Sequence, residues 1–331
     1  MLFKKVIYVE EKILNTPAVN RIINKINPEK IIVIEHYKDV LNQTNADWRF
    51  EKSIQKIILA QKEDNFYYNG SYLTSHFGFD EFYYNTLAIN CLYDCSYCYL
   101  QGMFNSAHIV LFVNNSDFIE ACKQLITNKT DKKIYFALSY DTDLAAIEHL
   151  YPYCKEWINF AAVNPNLTIE IRTKSSQTIH FENYPHIENA IFAWSLLPDK
   201  IIKKFEPLTP NLNQRIKAIN KAINDNRKVM LCIDPLIYIP QFEKIYSDFM
   251  DELNQKIDFS AIHLISIGTF RMNEKFFANI KKSNNNNELY QFRYQVYDGV
   301  ISYRKNDSDK LINVITQKLN DINFKKYVVY E

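Results

Sequence analysis

The sequence predicts an α/β protein: a partial (β/α)6 TIM-type barrel with a small N-terminal α/β unit and a C-terminal β-hairpin. Six apolar runs predict the barrel, at 84–91, 133–140, 167–174, 187–197, 228–234 and 262–270. Helical patterns lie between most of them, and repeated βα units build a parallel sheet covered by helices. A doubly wound sheet satisfies the same alternation, but six units suit a partial barrel better than a complete eightfold one. The chain has 331 residues, 47% apolar and 15% aromatic, enough for a large core.

Residues 1–80 are expected to form the N-terminal unit and a linker. "VIYVEE" (6–11) and "KIIVIE" (30–35) read as strands, and Thr16-Pro17 gives the start signal of a helix. A polar, tyrosine-rich stretch then leads to the barrel, expected over 81–282. Within it, Phe242, Ile245, Tyr246, Phe249, Met250 and Leu253 follow the spacing of one buried helix face. After "SNNNNE" (283–288), residues 283–331 change character. Asp298-Gly299 between aromatic and β-branched runs predicts a hairpin over 290–304, followed by a closing helix near 307–320.

The net charge of +1 does not by itself announce a polyanion partner. No apolar run reaches the roughly 18 residues of a membrane span, and the first residues lack the order of a signal peptide. A cytoplasmic protein without membrane association is therefore expected. In a reducing compartment its six cysteines point to metal binding or catalysis before disulfides.

Three of the six stand close together in "CLYDCSYCYLQG", as Cys91, Cys95 and Cys98. Structural zinc takes four ligands in paired clusters, and no second Cys/His pair lies nearby. Three thiolates on one loop suit a 4Fe–4S cluster with one iron left open for a ligand. The loop follows the first expected barrel strand, at the end where βα barrels build active sites. Cys122 and Cys154 fall on apolar helix faces and read as core. Cys232 lies on a strand, two residues before Asp234.

The spacing C-x3-C-x2-C, with Tyr97 before the third cysteine, resembles the radical S-adenosylmethionine (SAM) superfamily. "CSYCYLQ" resembles the cluster loop of the spore photoproduct lyase family in particular. "TDLAAIEHL" (142–150), "IRTKS" (171–175), "FAWSL" (192–196) and "FEPLTPNLNQRI" (205–216) resemble that family's segments in the same order. The resemblance implies a cluster on Cys91, Cys95 and Cys98 whose open iron chelates SAM, which is cleaved to a 5′-deoxyadenosyl radical. It implies that Tyr99, Thr142, Lys174 and Ser195 hold SAM, and that the substrate is a methylene-bridged thymine dimer in DNA. A flavodoxin- or ferredoxin-type reductant is implied as well.

One position departs from the family. The cysteine that returns hydrogen to the product radical lies three residues before the aspartate matching Asp143, and here that position is Tyr140. Tyr140, Tyr97 or Cys232 takes over the donation, or the substrate is a different one. Asp143 is a candidate substrate contact or a helix cap, and Asp234 and Arg271 are candidate substrate contacts or an ion pair. Candidate DNA contacts are Lys200, Lys203, Lys204, Lys281, Lys282, Arg293, Tyr303 and Arg304, because phosphates need cations and aromatic rings wedge against bases. Two alternatives stand beside lesion reversal. One is a radical SAM enzyme acting on another nucleotide, nucleic acid or small molecule. The other is a non-catalytic iron–sulfur protein that binds nucleic acid.

Overall fold

The computed structural model describes residues 6–43, 46–70, 77–177, 184–283 and 287–330. Part of the linker (71–76) and part of the asparagine run (284–286) lie outside the described residues. A six-strand barrel sheet forms, its first strand ending at the first residue of the run expected at 84–91 and the other five falling within the expected runs or overlapping them. The strands are Glu81–Tyr84, Ile134–Leu138, Leu167–Thr173, Ala190–Ser195, Lys228–Leu236 and Ile262–Thr269. They lie side by side in chain order and all run parallel. Two strands extend the sheet without closing it. Tyr68–Asn69 pairs antiparallel with the first barrel strand, and Tyr327–Tyr330 pairs parallel with the sixth. The second of these was not expected, because four residues at the end of a chain carry too little periodicity to announce a strand.

Alternation within the barrel strands separates two faces. Phe136, Ile171, Trp194, Leu231 and Ile265 pack into the main core with helical residues such as Trp157, Ile219 and Phe249. Phe82, Tyr135, Ala137, Ile191, Ala193, Met230 and Cys232 form a separate cluster on the concave side, with Tyr84 and Tyr140 packed against it. Cys122 and Cys154 are buried in the main core, as read from the sequence.

The first sheet has the spatial order Lys30–Ile34, Val6–Glu10, Ile57–Ala60, Ile109–Phe112 and Ala88–Ile89. Two of its strands therefore come from beyond residue 80, and the expected boundary there does not separate the sheets. The 84–91 run, read as one strand, is split between the two sheets. Buried Asn85 makes the crossing: its Oδ1 accepts from Ser139 N at 3.0 Å, and its carbonyl accepts from Tyr140 N at 3.1 Å. Asn90 then takes a left-handed φ of 65°, which asparagine tolerates. Its Nδ2 donates to the carbonyls of Ser106 and His108 at 2.8 Å each, and the turn aims the chain into the cysteine loop.

A third sheet contains the expected hairpin, Gln295–Tyr297 with Val300–Ser302, joined by Arg271–Asn273. Asp298 and Gly299 both have positive φ, 47° and 72°, as a two-residue type I′ turn requires. The helix behind it spans Lys305–Asp321. No helix among the described residues is long and apolar enough to cross a membrane.

Candidate active site

The cysteine loop is fixed from three sides. From the N-terminal unit, Lys52 Nζ donates to the carbonyl of Cys91 at 2.5 Å, and Gln55 Nε2 donates to the same oxygen at 3.1 Å. Arg49 spans both carboxylate oxygens of Asp94 at 3.0 and 3.1 Å and reaches Gln101 Oε1 at 2.8 Å. From the barrel, Ser96 N donates to the carbonyl of Phe205 at 2.7 Å. From the C-terminal region, the Tyr290 hydroxyl donates to the carbonyl of Ser96. Gly102 is required by close approach, since a Cβ there would sit 2.2 Å from the carbonyl oxygen of Phe276.

Burial pushes all three thiols up, Cys91 to about 12, so their ionisation calls for positive charge. Lys52 opposes that shift at Cys91 and Cys98, and Lys174 opposes it at Cys95 and Cys98. Iron would supply the rest. Among the described residues, no three His, Cys, Asp or Glu side chains converge as ligands of one metal ion. An iron–sulfur cubane seats each thiolate on a different iron, so it does not require such convergence.

The strand ends bring the expected SAM contacts round this loop. Lys174 follows the third barrel strand, with its Nζ 5.6 Å from the centre of the Tyr97 ring. Burial opposes its charge, but Cys95 and Glu206 beside it hold its pKa above the ordinary lysine value. Thr142 carries a buried Oγ1 without a hydrogen-bond partner among the described residues. A buried hydroxyl left unpaired is costly, so this atom fits a site whose ligand completes it. Ser195 ends the fourth strand, and its carbonyl accepts from Arg215 at 2.9 Å. Tyr99 places its hydroxyl 2.7 Å from the carbonyl of Tyr140 and 3.0 Å from Asp141 Oδ1.

Asp143 takes the helix-cap role and braces the neighbouring strand end. Its Oδ1 accepts from Thr173 Oγ1 at 2.8 Å and Ala146 N at 3.1 Å, and its Oδ2 accepts from Lys174 N at 2.7 Å. It caps the short helix Leu144–Ile147 while fixing the strand end that carries Lys174. Asp234 and Arg271 pair with each other at 3.2 Å on the concave side, beside Arg172. Arg172 in turn holds Glu170 at 2.7 Å, and Glu170 accepts from Tyr135. Tyr140 lies against this chain, and Cys232 lies in the apolar patch below it.

Tyr303 does not protrude. It is 1% exposed, its hydroxyl accepts from Tyr238 N at 2.9 Å, and its ring packs among Phe270, Phe292 and Tyr294. It follows the last hairpin strand, Val300–Ser302, and is packed inward by these rings, while the exposed aromatic of the hairpin is Tyr297, at 78%. Arg304 is exposed at the start of the last helix, and Arg293, Lys200, Lys281 and Lys282 are exposed too. Lys203 and Lys204 are engaged with Asp199 and Glu288.

Sequence reasoning missed Glu206 and Arg215, a fully buried pair under the mouth. Glu206 accepts from both Arg215 and the Tyr97 hydroxyl, and Arg215 also donates to Thr209 Oγ1 at 2.7 Å and the Pro210 carbonyl at 2.9 Å. The available signal was Arg215 itself, which stands in the apolar stripe of Leu212, Ile216 and Ile219. Asp141 was missed as well, and nothing in its local pattern marks it.

A three-cysteine loop at the mouth of a six-strand parallel partial barrel defines the class of radical SAM proteins. The model of the family described as "Spore photoproduct lyase" matches residues 3–290, and the chain belongs to that family. Spore photoproduct lyase of Geobacillus sp. (strain Y412MC61) is 25% identical over 173 residues, 52% of this chain and 51% of its own. That of Bacillus subtilis (strain 168) is 25% identical over 180 residues, 54% and 53% of the two chains. The chain thus spans about half the length of these two curated relatives. A spore photoproduct lyase mutant solved with bound AdoMet and dinucleoside spore photoproduct superposes with a TM-score of 0.83 at 19% identity, covering 99% of both chains. A second structure, complexed with dinucleoside spore photoproduct, gives 0.82 at 20%, covering 99% of this chain and 98% of its own. The fold is therefore shared from end to end.

Proposed function

We propose that the chain is a radical SAM lyase that reverses a methylene-bridged thymine dimer in DNA. The reading is supported, in a member of this family, by the three loop cysteines with Lys174 beside Cys95 and Tyr97. It is supported too by the Thr142 hydroxyl after the neighbouring strand, buried and without a hydrogen-bond partner among the described residues. Cys91, Cys95 and Cys98 would hold a 4Fe–4S cluster, which with SAM would supply the radical chemistry that begins the reversal. Lys174 neutralises the SAM carboxylate as a point charge, and Thr142 and Ser195 offer polar atoms at neighbouring strand ends. Tyr99 is held by Asp141 so that its ring closes the loop side. After the cross-link fragments, Tyr140 returns a hydrogen atom to the product from the concave side.

DNA would lie across the hairpin, where Val296 and Tyr297 stand exposed at 51% and 78% beside exposed Arg293. A flipped lesion leaves a gap in the duplex that such a tip fills. A flavodoxin- or ferredoxin-type protein delivers the electron, in the cytoplasm. A second reading, the same chemistry on another nucleotide or nucleic acid, is favoured by one observation: Tyr140 stands where the family's thiol donor belongs.

The test is anaerobic reconstitution and reduction, followed by SAM and the dinucleotide photoproduct. Formation of 5′-deoxyadenosine together with thymidylyl-thymidine is expected. SAM cleavage without repair would move the reading to the second substrate class, and a cluster without SAM cleavage would overturn both.

A further inference from the structure

We infer that three tyrosines, Tyr140, Tyr84 and Tyr68, form a line that passes a radical from the barrel interior to the protein surface. Tyr140 is thereby refilled with hydrogen after each donation. The inference rests on the reading of Tyr140 as the donor. The Tyr140 and Tyr84 rings are 4.6 Å apart between centres, and those of Tyr84 and Tyr68 are 5.3 Å apart, with interplanar angles of 37° and 25°. These are contact distances for aromatic pairs. The backbone sets the order. Tyr68 and Tyr84 are direct partners across the antiparallel strand pair, and Tyr140 N donates to the carbonyl of Asn85, next to Tyr84.

The ends of the line differ as the task requires. Tyr140 packs on the concave cluster beside Arg172 and Arg271. Tyr68 is half-buried, with Lys62 Nζ 3.2 Å from its hydroxyl. Burial first, then Asp141, Tyr140 and Tyr68, pushes the Tyr84 phenol up to about 12, so at neutral pH it keeps the proton that it must pass on. Tyr99 also neighbours Tyr140, but its hydroxyl is already placed against the Tyr140 carbonyl and Asp141.

The steps balance. A carbon radical on the product takes the hydroxyl hydrogen of Tyr140: a C–H bond forms, an O–H bond breaks, and the unpaired electron stays on the Tyr140 oxygen. Tyr84 then gives one electron and one proton to Tyr140, and Tyr68 gives the same to Tyr84. A soluble thiol gives a hydrogen atom to Tyr68 and leaves as a thiyl radical.

The experiment needs neither SAM nor lesion. The full chain is oxidised from outside with tris(bipyridyl)ruthenium, light and persulfate, trapped with a nitroso spin trap, and mapped by peptide mass spectrometry. Adducts are expected on Tyr68 and Tyr140. Tyr84→Phe, which keeps the ring and its packing, is expected to lose the Tyr140 adduct and keep that on Tyr68. Tyr84→Trp, which restores an oxidisable ring, is expected to recover the Tyr140 adduct. An undiminished Tyr140 adduct in Tyr84→Phe, or none in the unaltered chain, would overturn the inference. Either result would leave the functional reading standing, because that reading is tested by repair.

Discussion

The two walls of the barrel mouth use their polar groups differently. On the loop wall, Cys91, Cys95, Cys98, Lys174 and Thr142 turn their chemistry toward an interior that the protein does not itself complete: Thr142 Oγ1 is buried and unpaired among the described residues. On the concave wall, Glu170, Arg172, Asp234 and Arg271 answer one another, and Tyr140 stands among them in the place of a thiol. The loop wall carries the three-cysteine spacing through which the sequence resembles its family, whereas on the concave wall Tyr140 stands where that resemblance implies a cysteine. On the proposed reading, the residues that would support radical formation and those that would return hydrogen sit on separate parts of the fold.

The largest expected effect comes from breaking the loop wall. Cys95→Ala should abolish 5′-deoxyadenosine formation and lower bound iron after anaerobic reconstitution, while circular dichroism shows the same fold. Next is the buried pair beneath it. Arg215→Met strands Glu206 without its cation and should cost about 3–5 kcal/mol in urea unfolding. A loss under ~1 kcal/mol would show that Tyr97 and Thr209 suffice to satisfy Glu206.

The concave wall is sharpened by Tyr140→Cys, which should raise repair per SAM cleaved by roughly tenfold if the tyrosine limits hydrogen return. Tyr140→Phe should leave SAM cleavage intact and suppress product. Unchanged repair in the phenylalanine variant would remove Tyr140 as donor and leave Tyr97 and Cys232. A smaller effect is expected at Thr142→Val. Loss of one hydrogen bond of about 1 kcal/mol should weaken SAM binding roughly fivefold, while removal of the unpaired buried hydroxyl should raise the stability of the protein without SAM.

The smallest is a pH effect at Asp141, whose pKa burial raises above the ordinary 3.8 against the hydrogen bonds from Thr86 and Tyr99. An acid with a raised folded-state pKa binds its proton more tightly when folded, so its contribution to stability falls as pH rises from that value through the folded-state one. Asp141→Asn should therefore be more stable than the parent at neutral pH, and the gain should vanish below the carboxylate range. Chemical unfolding at both pH values checks the sign.

Much of this was legible in the sequence, for local reasons. Five of the six barrel strands, the helix over Phe242–Lys256 and the Asp298-Gly299 turn follow from periodicity and backbone preference within short windows. The cysteine spacing works the same way, because ligands on one loop are constrained by the loop. What went unread involves partners far apart in the chain. The 84–91 run looks continuous, yet Asn85 and Asn90 divide it between two sheets through bonds to Ser139, Ser106 and His108. Tyr303 looks like a candidate wedge until packing against Phe270, Phe292 and Tyr294 buries it and leaves Tyr297 outside.

By itself, the sequence determined the βα repeat and the three-thiol loop, since each is written in neighbouring residues; that a donor thiol is missing is what the family resemblance implies. Only the tertiary structure decided that Asp143 is a brace, that Arg215 and Glu206 pair beneath Tyr97, and that Tyr140 lies against Tyr84. A carboxylate, a guanidinium or a phenol takes its role from whatever lies within hydrogen-bonding or ring-contact distance. In this chain those partners are brought together by strand pairing and not by adjacency in sequence.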